Sequence, residues 1–154
     1  MITYLQGNIF ESDAQVLINT VNTDGVMGKG IALQFKNNFP NNFKAYRKAC
    51  KENAVQVGKM FVTEDENLIY GKKIIVNFPT KTTWRKPSEY IYIEEGLKDL
   101  VKIIKEKNIK SIAIPRLGAG NGGLDWEEVK KMIEQHLSHL DTAIYIYEPT
   151  ADIK

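Results

Sequence analysis

The sequence lacks several features that would place it in a special class of protein. It has one cysteine, Cys50, among 154 residues, so an intramolecular disulfide is impossible and a reducing compartment such as the cytoplasm is favoured. No apolar run approaches membrane-spanning length, and no signal-peptide pattern opens the chain. The formal net charge of +2 is too small to indicate nucleic-acid binding from bulk electrostatics. A secreted, disulfide-rich or membrane protein is therefore not expected.

The composition is that of an ordinary globular domain. Hydrophobic residues make up 43% and charged residues 26% of the chain, a balance that supports a substantial core. No internal repeat, low-complexity tract or linker-like shift divides the sequence, so residues 1–154 are expected to form one domain. Cysteine and acidic residues do not accompany the two histidines in a metal-binding pattern, and we expect neither a metal nor a cofactor.

Strands and helices are predicted to alternate along the chain. β-branched and aromatic runs predict strands at 2–5, 15–20, 59–63, 73–78, 111–115 and 142–147, and a further short strand would fit at 67–71. Apolar periodicity predicts helices at 30–37, 41–52 and 88–107, the last with a core-facing stripe that begins at Tyr90. Asp125 and Glu128 look like a capping box that starts a final helix. This alternation predicts an α/β fold: a three-layer α/β/α sandwich with a mixed, mostly parallel central sheet.

Two glycine-rich loops follow predicted strands. The first runs from Asn19 to Gly30 and leads into a helix, and the second runs from Arg116 to Gly123. Glycines let a backbone approach a ligand closely, and free amides before a helix attract phosphate. Because the carboxyl ends of parallel strands meet at one sheet edge, two such loops there predict a diphosphate ligand.

Two better-known phosphate motifs fit these loops poorly. The run from Gly25 to Gly30 is too short before its Gly-Lys pair for a P-loop, and Gly30 stands where a P-loop needs Ser or Thr. Gly118, Gly120 and Gly123 match the fingerprint GxGxxG, but too little chain follows for a Rossmann domain. The glycines could also be simple turn residues, which is the weaker interpretation for two loops at one edge.

Four polar or glycine-rich stretches form a recognisable set: Gln-Gly-Asn-Ile at 6–9, Asn-Thr-Val-Asn at 19–22, Gly-Val-Met-Gly-Lys-Gly-Ile-Ala at 25–32 and Pro-Arg-Leu-Gly-Ala-Gly-Asn-Gly-Gly-Leu at 115–124. Together they resemble the ligand loops of the macrodomain family. The resemblance implies that the ligand is ADP-ribose, with adenosine near Asn8 and Ile9, the diphosphate between the glycine loops and the distal ribose beside Asn22 and Gly28. Many macrodomains have Asp where this chain has Asn8, whose carbonyl could still accept from adenine without charge assistance. The implied ADP-ribose-binding residues are Asn8, Ile9, Asn19, Val26, Gly28, Gly30, Ile31, Ala32, Leu117, Gly118, Ala119, Gly120, Asn121 and Gly122.

The run Asn-Phe-Pro-Thr-Lys at 77–81, followed by Thr-Thr-Trp-Arg at 82–85, resembles the DarG branch of that family. Its members are antitoxins that remove ADP-ribose from thymidine in single-stranded DNA, where the partner toxin DarT attaches it. The resemblance implies a DNA ADP-ribosyl glycohydrolase in which Lys81 and Asn22 are catalytic and Thr80, Trp84 and Arg85 contact DNA. It implies as partners ADP-ribosylated DNA and a DarT-type toxin, the latter bound by a C-terminal region beyond this chain. We therefore expect a monomeric cytoplasmic domain excised from a longer antitoxin.

Two chemical roles for Lys81 stay open from the sequence. A neutral amine could attack the anomeric carbon, and an ammonium could instead protonate the departing thymine. The related terminal ADP-ribose protein glycohydrolase shares the lysine but has an acidic residue where Gly122 stands here, so its lysine-plus-aspartate mechanism does not transfer. The alternative functions are hydrolysis of ADP-ribosylated protein carboxylates and a non-catalytic ADP-ribose reader. Trp84 either stacks on a DNA base or packs over the sheet edge.

Overall fold

The computed structural model describes residues 1–148, which contain a six-stranded sheet and four helices. Its strand order is β1-β6-β5-β2-β4-β3, and all neighbours are parallel except β3 and β4, which form an antiparallel hairpin. The predicted three-layer α/β sandwich with a mixed, mostly parallel sheet is confirmed. The elements are β1 (Ile2–Leu5), β2 (Val16–Asn22), β3 (Phe61–Asn67), β4 (Gly71–Lys81), β5 (Ser111–Ile114), β6 (Ala143–Tyr147), α1 (Gly30–Asn38), α2 (Pro40–Lys51), α3 (Tyr90–Glu106) and α4 (Trp126–Leu137).

The central strands contribute side chains to a core on each face of the sheet. Val16 and Ile18 of β2 belong to the cluster that α3 and α4 cover, whereas Leu17 between them packs with Phe35 of α1. Successive side chains of a strand point to opposite faces, so helices on both faces bury the whole strand. This explains why the central strands read as nearly continuous apolar runs in the sequence.

The β3–β4 hairpin corrects one prediction. Residues 67–71 do not form a separate strand: Asn67 ends β3, Gly71 begins β4, and the residues between them form the turn. The Asn67 Oδ1 atom accepts hydrogen bonds from the backbone amides of Ile69 and Tyr70, 2.7 Å and 3.0 Å away. An asparagine that bonds its own following backbone favours a turn over a strand.

The start of α4 corrects two more predictions. Asp125 caps the helix by accepting from the amide of Glu127 (3.2 Å), as expected, but Glu128 pairs with Lys131 (3.7 Å). Tyr90 is exposed rather than part of the α3 core stripe, and its hydroxyl accepts from the backbone amide of Asp125 (3.1 Å). The apolar periodicity of α3 was therefore predicted correctly, but Tyr90 at its start lies outside the core and contacts the loop before α4.

Five of the six strands are mutually parallel, and their carboxyl ends meet at one edge of the sheet. The strands β2 and β4 extend to Asn22 and Lys81, beyond the predicted ends at 20 and 78. The amino terminus of α1 lies close after β2 in sequence. Among residues 1–148, no helix combines the length and apolar character needed to cross a membrane.

Candidate active site

A cleft of about 1230 Å³ runs along the carboxyl edge of the sheet. Residues 7–9 after β1 and residues 147–148 at the end of β6 line one end of it, and Thr80 and Lys81 at the end of β4 line the other. Between them lie the loop after β5 and the end of β2, because β5 and β2 separate β6 from β4 in the sheet. Open α/β sheets bind ligands at this edge.

The structure brings most of the predicted site residues together in this cleft. The lining residues that the sequence indicated are Asn8, Ile9, Asn22, Val26, Gly28, Gly30, Ile31, Ala32, Thr80, Lys81, Trp84, Arg85, Gly118, Ala119, Gly120, Asn121 and Gly122. The two glycine loops therefore face one shared space, as the prediction of a single diphosphate ligand required.

Two predicted residues do not line the cleft. Asn19 is fully buried, and its Nδ2 donates to Asn77 Oδ1 of the neighbouring strand (3.2 Å). Leu117 is also fully buried and belongs to the core between the sheet and α3. Both residues lie inside the loop motifs of the sequence. Asn19, however, belongs to the interior of β2, and Leu117 anchors its loop to the core.

Lys81 lies opposite Asn22 because the register changes at the ends of two central strands. The strands β2 and β4 pair regularly up to Val21 with Pro79, and the next pair is Asn22 with Lys81. Thr80 is therefore an extra residue on β4, which makes a β-bulge. Proline cannot donate to a sheet ladder and is found at such irregular positions. The bulge places the lysine and the asparagine side by side at the cleft.

The Asn22 side chain mainly shapes the first glycine loop. Its Oδ1 atom accepts from the amides of Asp24 (3.0 Å) and Gly25 (3.2 Å) and from the buried Tyr46 hydroxyl (3.0 Å). Its Nδ2 atom donates to the carbonyl of Val26 (2.9 Å). A carboxamide has two N–H donors, so one remains for a ligand. The expected contact of Asn22 with the distal ribose is therefore limited to that donor.

The segment after Lys81 is attached to both glycine loops. The Trp84 amide donates to Asp24 of the first loop (3.2 Å), and the Ser88 amide donates to the carbonyl of Gly122 in the second (2.9 Å). The Trp84 side chain is 48% exposed, and the Arg85 guanidinium carbon lies 5.0 Å from the centre of its ring. The Trp84 indole is therefore half-exposed beside a cation at the rim of the cleft and is not buried over the sheet edge.

The phosphate-binding features of the two loops converge between the cleft ends. Gly30 begins α1 with a φ of +54°, and Lys29 before it provides no side-chain cap, which leaves the first amides of the helix without that partner. Across the cleft, a side chain on Gly30 would meet Asn121 Nδ2 at 3.2 Å. Free amides at a helix amino terminus bind anions, so this close approach of the loops suits a diphosphate.

The charges that line the cleft are mostly positive, although the chain as a whole is nearly neutral. Among residues 1–148, five cations line it, from Lys29, Lys81, Arg85, Lys86 and Arg116, against the single carboxylate of Glu148, whereas the whole chain carries +2. Burial, and then the positive charge of Lys29, lowers the pKa of Lys81 from its usual value. The cleft therefore suits a polyanion. Within it, removing the proton from Lys81 costs less free energy than from an ordinary exposed lysine.

Comparison with known proteins identifies the family. The family model of the Macro domain matches residues 18–133. The chain belongs to the macrodomain family. The solved macrodomain of Mycobacterium tuberculosis DarG is 52% identical with a TM-score of 0.93, and the match covers 97% of this chain and 99% of that one.

Longer relatives contain a similar macrodomain as one part. A DNA ADP-ribosyl glycohydrolase from Thermus aquaticus is 51% identical, over 100% of this chain and 43% of its own length. The structure of Thermosipho africanus DarTG in complex with ADP-ribose is 34% identical with a TM-score of 0.91, and the match covers 99% of this chain and 43% of that one. The chain thus spans about two fifths of the length of the curated relatives it matches.

In this macrodomain, position 122 has no room for a side chain. A Cβ atom on Gly122 would lie 2.3 Å from the carbonyl oxygen of Gly118 and 2.4 Å from Ser88 Oγ. Real Cβ atoms do not approach so closely, and a backbone carbonyl cannot turn away as a flexible side chain can. In this loop conformation, packing therefore excludes an acidic side chain at position 122.

Sequence reasoning missed several residues that line the macrodomain cleft. Lys29 and Arg116 lie inside the two glycine motifs, and their positive charge beside a predicted phosphate site was the signal that could have found them. Tyr147 is the last residue of β6, and Glu148 follows it directly. They carry no motif, and only the rule that ligands bind at strand carboxyl ends, applied to the last strand, pointed to them.

Proposed function

We propose that this macrodomain binds ADP-ribose in the cleft and removes it from thymidine in single-stranded DNA. The observation that carries the proposal is the position of Lys81, partly buried at the end of β4 beside Asn22 and between the two glycine loops. The Thermus relative, named as a DNA ADP-ribosyl glycohydrolase, supports this substrate, and the Thermosipho complex supports ADP-ribose as the ligand.

The cleft suggests how ADP-ribose would lie. Adenosine fits the end lined by Asn8 and Ile9, and the distal ribose fits the end lined by Lys81. The diphosphate would then cross the middle, where the amino terminus of α1 at Gly30 faces the second glycine loop at Asn121. The positive charges that line this path agree with this orientation.

The reaction breaks the bond between the anomeric carbon of the distal ribose and thymine. In one route the neutral Lys81 amine forms a bond to that carbon as the carbon–thymine bond breaks, and the proton that the amine then loses goes to the departing thymine. Water afterwards releases ADP-ribose from the lysine. In the other route the Lys81 ammonium gives its proton to the departing thymine while water adds to the carbon. The lowered pKa of Lys81 assists the first route by increasing the fraction of neutral amine, and it assists the second by making the ammonium a stronger acid.

The rim around Trp84 gives the DNA strand a place to bind. The exposed indole and the adjacent Arg85 offer base stacking and a phosphate contact, as single-strand binding requires. Thr80 lines the cleft but is only 5% exposed, so its contribution would be limited to the nucleotide at the reacting ribose. We infer that DNA enters along this rim and presents its modified thymidine to Lys81.

The substrate implies a partner enzyme that makes it. A DarT-type DNA ADP-ribosyltransferase would attach the ADP-ribose that this domain removes, so the domain would act as the antitoxin of that toxin. We place the domain in the cytoplasm, where bacterial DNA lies; the free, buried thiol of Cys50 is consistent with a reducing compartment. Direct toxin contact would belong to the part of the longer relatives that this chain does not match.

A time course on a thymidine-modified oligonucleotide tests the proposal. Wild type is expected to release ADP-ribose, and Lys81→Ala is expected to be at least about a thousandfold slower, the scale of a lost nucleophile or acid. Lys72→Ala is the matched control, since Lys72 is an exposed lysine on the same strand outside the cleft. Wild-type rate in Lys81→Ala would refute the catalytic role. Release from a carboxylate-modified peptide but not from the oligonucleotide would refute DNA as the substrate. Binding of ADP-ribose without release from either substrate would indicate a non-catalytic ADP-ribose reader.

A further inference from the structure

Glu148 contributes a negative charge to a cleft that is lined mainly by cations. It is the one carboxylate among the described residues that line the cleft, where five cations accompany it. A carboxylate next to phosphate would weaken binding by like-charge repulsion. In this cleft the Glu148 carboxylate is better suited to a part of the ligand that carries hydrogen-bond donors than to the diphosphate.

The Glu148 carboxylate is held in place by two donors from α4. Trp126 Nε1 and Lys130 Nζ both donate to its Oε2 atom, each at 3.1 Å, and neither bond goes to Oε1. The hydrogen bond from Trp126, followed by that from Lys130, lowers the pKa of Glu148, so the group is an anion at neutral pH. A fixed, ionised carboxylate with an oxygen outside these two bonds is a strong acceptor for a ligand.

Its position is at the end of the cleft away from Lys81. The Glu148 amide donates to the carbonyl of Leu5 (2.8 Å), which ties it to the start of the 7–9 segment. Three strand spacings separate β6 from β4, or about 14 Å across the sheet. This distance keeps the carboxylate away from the reacting ribose and puts it where the proposed orientation has the adenosine.

The residue expected to recognise adenine is already engaged. Asn8 Oδ1 caps a single 3-10 turn, Ile9–Glu11, by accepting from the amide of Phe10 (3.0 Å). The acceptor that the sequence offered for the adenine amino group therefore has a structural bond of its own. Glu148 lies at the same end of the cleft with an acceptor that is charged.

We propose that Glu148 is the residue that selects the base, by accepting a hydrogen bond from the exocyclic amino group of adenine. The inference rests on the proposed function, since it requires ADP-ribose in the stated orientation. It predicts a specific discrimination. Hypoxanthine has a carbonyl oxygen where adenine has the amino group, and two acceptors facing each other repel.

Calorimetry with ADP-ribose and with its hypoxanthine analogue, inosine diphosphate ribose, tests this. Wild type is expected to prefer ADP-ribose by about tenfold or more, the usual scale for a hydrogen bond to a charged group. Glu148→Gln is expected to abolish or reverse that preference, because an amide oxygen held by Trp126 and Lys130 leaves the N–H donors facing the base. Its oxygen can still accept from Trp126 and Lys130, so the fold is retained, and the thermal midpoint of each variant checks this.

Glu127→Gln is the matched control. Glu127 also pairs with Lys130 (3.6 Å) but does not line the cleft, so its preference should equal that of wild type. An unchanged preference in Glu148→Gln would overturn the inference, as would an equal loss of affinity for both ligands, which would place the carboxylate on a ribose hydroxyl. Either result leaves ADP-ribose binding in place, whereas absence of binding in wild type would overturn the proposed function itself.

Discussion

Replacing Gly122 by alanine should break the second glycine loop, while the same change at Gly120 should be tolerated. In Gly122→Ala the new Cβ would overlap Gly118 O and Ser88 Oγ, at 2.3 Å and 2.4 Å, by about 1 Å relative to an ordinary carbon–oxygen contact. Overpacking of this kind costs about 1–3 kcal/mol. The Gly118 carbonyl also accepts from the Leu124 amide (3.0 Å), and moving it would cost about 1 kcal/mol more.

Gly120→Ala is the control, because a Gly→Ala change lowers the conformational entropy of the unfolded chain equally at both positions. The difference in stability between the two variants therefore measures the packing of the new methyl group. In Gly120→Ala the Cβ would lie 3.4 Å from the flexible end of Arg116, and neither glycine has a positive φ. Urea denaturation should therefore show Gly122→Ala about 2–4 kcal/mol less stable than Gly120→Ala. Equal stability of the two variants would refute the conclusion that packing excludes a side chain at position 122.

Three further predictions concern the reaction, the DNA and the first loop. If the neutral amine of Lys81 is the nucleophile, kcat/KM should rise with pH and level off below the usual lysine pKa. Lys29→Gln should move that rise to higher pH, because it removes a positive charge that lowers the pKa of Lys81. A kcat/KM that falls over the same pH range would indicate that Lys81 is the proton donor instead. Trp84→Ala should weaken binding of the modified oligonucleotide about tenfold in a fluorescence titration, with affinity for free ADP-ribose unchanged. Tyr46→Phe should lower the free energy of unfolding in urea by about 1–3 kcal/mol, because the buried hydroxyl donates to Asn22; a change within error would show that the loop holds without it.

Features encoded by local sequence were predictable. Alternating apolar runs predicted the layered sheet, and glycine loops after strands predicted the edge of the sheet at which the cleft lies, because both depend on periodicity and on the rule for parallel strand ends. The resemblance then supplied Lys81 and the ADP-ribose ligand. Asn19 and Leu117 show the limit of motif reasoning, since a motif gives residues without saying which of them face inward.

The remaining features depend on contacts between distant segments. Asn22 looked like a ligand contact, but the Tyr46 hydroxyl and three loop residues occupy most of its carboxamide. Glu148 carries no motif, and it becomes part of the cleft only because β6 pairs next to β1. The packing at Gly122 depends in the same way on Ser88, which is 34 positions earlier in the numbering of the chain. Periodicity and short motifs contain no information about such pairings.

The extra residue in β4 has a consequence for protein engineering. Side chains along a strand alternate between faces, so a one-residue shift turns a side chain to the opposite side of the sheet. Deleting Thr80 would restore regular pairing after Pro79 and keep Lys81 opposite Asn22, but the alternation of faces would turn the lysine side chain to the other side of the sheet. A lysine grafted alone into a macrodomain with a regular strand would meet the same difficulty. The smallest transferable unit is therefore the Pro-Thr-Lys tripeptide at 79–81, in which two residues without acid–base chemistry determine where the third one acts.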